Sequence, residues 1–165
     1  MNILQIFTDG ASNVHNEKQP GGWAFAYVYS GMLLYNEYEG EAPTTNQRME
    51  MMGAIKGLEN LDKISSFKDI EYNTVEVITD SAYVYRCMVE MWYVTWRFNN
   101  WLKVDDTGKV VEIKNRDLWE RLIKISQELK EKHIIINWTK IRGHRGIVFN
   151  EVVDKLAKKA KISVS

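Results

Sequence analysis

A mixed α/β sheet flanked by helices is the fold this sequence predicts, on three observations. Strand-like runs stand together near the N-terminus, strand-like and helix-like runs alternate after them, and no repeat, low-complexity tract or long flexible linker interrupts the chain. The expected order is β-β-β-α-β-α-α-β-α. With 165 residues, 45% of them hydrophobic and 27% charged, the chain can bury one sizeable core, and residues 1–165 read as a single domain.

The first strand is expected at residues 4–8, followed by a turn region that runs through Gly21-Gly22. Two aromatic-rich runs, 23–29 and 32–38, are separated by Ser30-Gly31, a dipeptide suited to a tight hairpin turn, which makes three antiparallel strands. Pro43-Thr44-Thr45 then precedes a helix whose buried stripe is Met49, Met52, Ile55 and Leu58, with either threonine available as its cap. A strand at 74–79 leads into a helix capped by Ser81 and carrying Val84, Met88 and Met91. Another helix starts at Asp117-Leu118-Trp119, with Leu118, Leu122, Ile125 and Leu129 on one face. Residues 134–138 form a strand, and the last helix begins near Asn150.

Composition narrows the function. No apolar run approaches the roughly 20 residues that a membrane span needs. The N-terminus lacks a basic flank and a cleavage-site pattern, and a single Cys87 cannot form an internal disulfide, so the reducing cytoplasm is the expected address. Formal net charge is zero, but its distribution is uneven. Residues 1–50 hold two basic against six acidic side chains, whereas residues 130–161 hold nine basic against three acidic. The basic end suits a polyanionic partner and equally suits a solvated helix face.

Four acids stand in four local settings: Asp9 and Asp80 after hydrophobic strands, Glu50 in an early helical turn, and Asp154 on the last helix. Open α/β sheets place ligand sites outside the carboxyl ends of their strands. If the strands bearing Asp9 and Asp80 are parallel neighbours, their ends lie about 4.8 Å apart. That spacing suits carboxylates sharing hydrated divalent cations, and the positive end of a helix dipole suits Glu50. Each acid also has a plainer explanation, as turn former, capping partner or solvent-facing residue.

The wording around the acids favours the cluster. Thr8-Asp9-Gly10-Ala11-Ser12, Thr44-Thr45-Asn46-Gln47-Arg48-Met49-Glu50, Thr79-Asp80-Ser81-Ala82-Tyr83-Val84 and Gly143-His144-Arg145-Gly146 with Asn150-Glu151-Val152-Val153-Asp154 resemble type 1 ribonuclease H, in the family's order and over about residues 3–160. The resemblance implies a ribonuclease H-like fold, with a five-stranded mixed sheet of three antiparallel strands followed by two parallel ones. It implies endonucleolytic hydrolysis of the RNA strand of RNA–DNA hybrids, leaving a 5′-phosphate and a 3′-hydroxyl. Two Mg²⁺ ions, with Mn²⁺ as a substitute, would be held by Asp9, Glu50, Asp80 and Asp154, with Asp9 bridging both. His144, in a glycine-flanked loop, would carry a proton or help release product.

The same resemblance implies that Gly10, Ala11, Ser12, Asn46 and Gln47 hold consecutive ribonucleotides, that Thr45 meets a phosphate of the DNA strand, and that Trp92 touches DNA. Residues 91–103 take the place of the family's basic protrusion but carry only Arg97 and Lys103, with Asp105-Asp106 following. Trp96 and Trp101 are expected to fill a local core within a helical hairpin. Residues 14–20 lengthen the first loop, and Thr95 stands where many relatives carry asparagine. The expected protein is a monomer without an N-terminal hybrid-binding module, its catalytic strand beginning at Ile3. Competing readings are a same-fold nuclease for another substrate, as in integrases and junction resolvases, and a catalytically silent nucleic-acid-binding module. The Asn46-Gln47 amides argue against the first and the four acids against the second.

Overall fold

A computed structural model describes residues 2–142 and 146–165. Its main sheet has five strands: β1 (Ile3–Ser12), β2 (Gly21–Tyr29), β3 (Met32–Glu41), β4 (Thr74–Thr79) and β7 (Ile135–Lys140). They lie in the order β3-β2-β1-β4-β7, with β1, β2 and β3 antiparallel and β1, β4 and β7 parallel; three antiparallel strands followed by two parallel ones is the sheet that the resemblance implies. A small antiparallel hairpin, β5 (Leu102–Val104) with β6 (Val110–Glu112), stands apart from it. The helices are α1 (Asn46–Glu59), α2 (Ala82–Val89), α3 (Trp92–Phe98), α4 (Arg116–Glu131) and α5 (Val148–Ser163). None of the described helices is long and apolar enough to cross a membrane.

Strand alternation sends two rows of side chains to two separate cores. Leu4, Ile6, Trp23, Phe25, Tyr27, Val75 and Val77 pack with α1, α2 and α4, while Phe7, Ala24, Ala26, Val28 and Ile78 pack under Val153 and Ala157 of α5. The predicted α1 stripe is buried, and so are Met51, Ala54 and Gly57, because α1 is sandwiched between the sheet and α4 rather than lying on the surface. Burial of each large side chain contributes roughly 1.5–3 kcal/mol. On the other face α5 runs against the sheet backbone. A Cβ on Gly22 would lie 2.3 Å from the Ala157 carbonyl oxygen, so only glycine permits that approach.

Several boundaries differ from the sequence expectation for reasons visible in the pairing. β1 does not stop at Thr8. Its parallel ladder with β4 runs to Phe7, but its antiparallel ladder with β2 continues to Ser12, so Asp9 lies inside a strand and Gly21-Gly22 open β2 instead of closing a turn. Met91 leaves the α2 stripe; it takes a left-handed conformation and is half exposed, ahead of α3. The expected helical hairpin at 91–103 is one short helix followed by the β5–β6 hairpin, outside the periodicity of either long helix. The last helix starts at Val148, ahead of Asn150.

Candidate active site

The site is built where β1 passes the C-terminal end of β4. Phe7 pairs with Ile78, and two residues further along each chain stand Asp9 and Asp80. Glu50 arrives from the first turns of α1, whose N-cap is Thr45, the hydroxyl accepting the Arg48 N–H at 3.2 Å. Gly10 sets the distance between strand and helix. A Cβ there would lie 2.3 Å from the Glu50 nitrogen and 2.4 Å from the Met49 carbonyl carbon, so the bare backbone lets Glu50 come down beside Asp9. Gly10 is therefore a packing residue whatever else it touches, a role its sequence motif did not disclose.

Asp9, Glu50 and Asp80 each bring one carboxylate oxygen within 4.8 Å of the others. Asp9 and Glu50 are buried, and Asp9 Oδ1 accepts the Gly10 N–H at 2.9 Å. Burial, then the charge of Asp80, push the Asp9 carboxyl up to about 8. Burial, then the charges of Asp9 and Asp80, hold Glu50 well above the ordinary carboxylate range. Among the described residues Glu50 Oε2 is buried without a hydrogen-bond partner, which is costly unless something else satisfies it. A hard divalent cation, which prefers oxygen ligands, fits this donor set on both counts.

Asp154 stands beside this trio rather than within it. It contributes to the upward shift of Asp9, but its Oδ2 accepts a 2.9 Å ion pair from Lys158, one turn further along α5. His144 lies outside the described residues.

The expected substrate residues form two groups. Ala11 and Ser12 extend along β1 from Asp9, and Thr45, Asn46 and Gln47 are exposed at the start of α1, close to the acids through Glu50. Trp92 is separate. It is half buried at the head of α3, with the Arg86 guanidinium 5.2 Å over its ring and Trp96 edge-on at 6.2 Å. Trp101 is buried and Trp96 packs on both it and Trp119, so these two fill a local core as expected.

Two features escaped the sequence. Arg48 makes a bidentate pair with Asp117, at 3.0 and 2.8 Å, and bonds Asn115, tying the start of α1 to the start of α4. Trp119 is fully buried and donates its indole N–H to the Tyr83 hydroxyl at 3.0 Å, anchoring α4 to α2 behind the site. The Asp117 position at a helix start was the available signal for the first; nothing local marks the second.

The RNase H family model matches residues 1–162. This chain belongs to the RNase H family. It is 36% identical over 156 residues to a ribonuclease H of Caldanaerobacter subterraneus subsp. tengcongensis, covering 94% of this chain and 88% of that one. It is likewise 36% identical over 168 residues to a ribonuclease H of Treponema denticola, covering 97% of each. Among solved structures it resembles LC9-RNase H1, a type 1 RNase H with the type 2 active-site motif, at a TM-score of 0.75 and 23% identity, covering 99% of this chain and 74% of that one. It also resembles LC11-RNase H1 in complex with an RNA/DNA hybrid, at a TM-score of 0.68 and 20% identity, covering 97% of both chains. These last two likenesses concern the fold.

Proposed function

We propose that the chain hydrolyses the RNA strand of RNA–DNA hybrids as an endonuclease, leaving 5′-phosphate and 3′-hydroxyl ends. The observation that carries this is the trio Asp9, Glu50 and Asp80, with oxygens within 4.8 Å of one another, in a ribonuclease H chain. A solved RNase H of the same fold holds an RNA/DNA hybrid, which supports the substrate.

Asp9, Glu50, Asp80 and Asp154 would hold two Mg²⁺ ions, with Mn²⁺ an acceptable substitute. Bound divalent cations supply an activated water and neutralise charge on the departing 3′ oxygen. The chain's own residues do the rest. Burial of Asp9 and Glu50 excludes water from the ligand oxygens, and the Gly10 N–H fixes the Asp9 carboxylate. The backbone of Gly10, Ala11 and Ser12 and the amides of Asn46 and Gln47 read the 2′-hydroxyls that separate RNA from DNA. Thr45 places a DNA phosphate, Trp92 lies under the DNA strand, and His144 moves a proton near the products. The chain works as a single-domain, cytoplasmic monomer.

A substrate panel tests this. Labelled RNA–DNA hybrid, RNA duplex, DNA duplex and a DNA duplex with one embedded ribonucleotide are incubated with Mg²⁺ or chelator, and product ends are mapped. The expected result is Mg²⁺-dependent cutting of the hybrid RNA alone, with 5′-phosphate ends. Efficient cutting at the single ribonucleotide would overturn the requirement for consecutive ribonucleotides, and an intact hybrid in all conditions would overturn the proposal.

A further inference from the structure

Asp154 and Lys158 lie four residues apart on α5 and therefore share a face of the helix. The Lys158 ammonium sits 2.9 Å from Asp154 Oδ2, and the Asp154 side chain keeps only 19% of its accessibility while that of Lys158 keeps 52%. Asp154 adjoins Asp9, and the Asp9 charge acts on Lys158 as well. Three carboxylates converge within 4.8 Å, and the fourth acid of the constellation is held by a cation of its own chain.

We infer that Lys158 is a positioning residue that acts as a built-in counter-cation, holding Asp154 and competing with divalent metal for the acidic cluster. The inference rests on the reading that these acids take divalent cations. The ammonium is a compact point charge on a flexible stem, anchored to the helix surface and largely in water. With no metal bound it offsets the mutual repulsion of the acids. A divalent cation that uses Asp154 must displace it or accept its repulsion, so Lys158 lowers metal affinity while it stabilises the metal-free protein. Lys159, its neighbour, is directed to the Tyr38 ring, with its nitrogen 5.4 Å from the centroid, and does not duplicate this contact.

The test is calorimetric titration of Mg²⁺ alone into the full chain at low ionic strength, for wild type, Lys158→Gln, Lys158→Arg, Asp154→Asn and Asp154→Asn with Lys158→Gln. Thermal midpoints are measured with chelator and with Mg²⁺. Lys158→Gln is expected to bind Mg²⁺ about two- to fivefold tighter, the scale of a partly exposed ion pair. Lys158→Arg stays near wild type, and the gain disappears in the Asp154→Asn background. The Lys158→Gln midpoint falls in chelator, and its rise on adding Mg²⁺ exceeds that of wild type. Unchanged or weaker Mg²⁺ binding in Lys158→Gln overturns the inference, as does a gain that survives Asp154→Asn or a wild type that binds no Mg²⁺. Tighter binding in a protein that leaves hybrids intact would sink the proposed function and keep the role of Lys158; cleavage with unchanged Mg²⁺ affinity would do the reverse.

Discussion

The acidic site at β1 and β4 and the protrusion of α3, β5 and β6 solve opposite problems. At the first, charged groups are buried: Asp9 and Glu50 are 4% and 7% exposed, pressed together by a helix that meets the strand backbone at Gly10. At the second, apolar groups face water: Phe98 is 87% exposed, and Val104 and Val110 about two-thirds exposed, while Trp101 is tucked inward. The difference teaches where precision is invested. The acids are pressed together by sheet and helix directly, whereas the protrusion reaches the core through ring contacts running from Trp119 through Trp96 to Trp101 and Trp92. Damage to the first should remove chemistry; damage to the second should change stability or substrate affinity.

The largest effect separates the two regions outright. Asp9→Asn and Asp80→Asn are expected to lower hybrid cleavage by more than about 10³-fold while circular dichroism stays native, as befits electrostatic groups at the reacting centre. His144→Ala should reduce turnover by a smaller factor, about 10²-fold. Equal losses in all three would remove the distinction between the acids and an auxiliary proton carrier.

Within the protrusion, truncating Trp101, which is 6% exposed, should cost about 3–5 kcal/mol in chemical denaturation, while Phe98→Ala should stay within about 0.5 kcal/mol. Matching losses would mean that the outer face is packed after all. At the acidic end, Gly10→Ala forces a methyl group into the α1 backbone and should destabilise by about 1–3 kcal/mol and depress activity together.

A further expected effect is a pH slope. Asp9 is raised in the folded state, from 3.8 to about 8, so between these values the folded protein holds a proton that the unfolded chain has released. Metal-free stability should therefore fall as pH rises from about 4 to about 8. Asp9→Asn should flatten the profile, and saturating Mg²⁺ should oppose the loss at the upper end, where it finds the carboxylate ionised. A metal-free midpoint that climbs across that window would contradict the burial of this group.

Much of this was legible in the sequence because the signals were local. Hydrophobic and aromatic-rich runs marked the strands, Ser30-Gly31 marked the hairpin, and Thr45 and Ser81 cap their helices by accepting hydrogen bonds from the Arg48 and Val84 N–H groups. The acids stood out through the short motifs around them. What was missed depends on contacts between distant segments. Asp9 belongs to the interior of β1 because β2 pairs beyond the reach of β4. The clasp of Arg48 on Asp117 spans 69 positions, and no helical or strand period encodes it. The three-residue strands β5 and β6 are too short to show a pattern, and the attachment of Asp154 to Lys158 looks, in sequence, like any i,i+4 pair on a solvated helix.

The most direct measurement is cleavage of a labelled RNA strand annealed to DNA, with Mg²⁺ or chelator, in wild type and Asp80→Asn side by side. Cutting by the wild type in Mg²⁺, absent with chelator and absent in the variant, is the predicted result. Cutting that persists in chelator, or in Asp80→Asn at the wild-type rate, would contradict a metal centre built on these carboxylates.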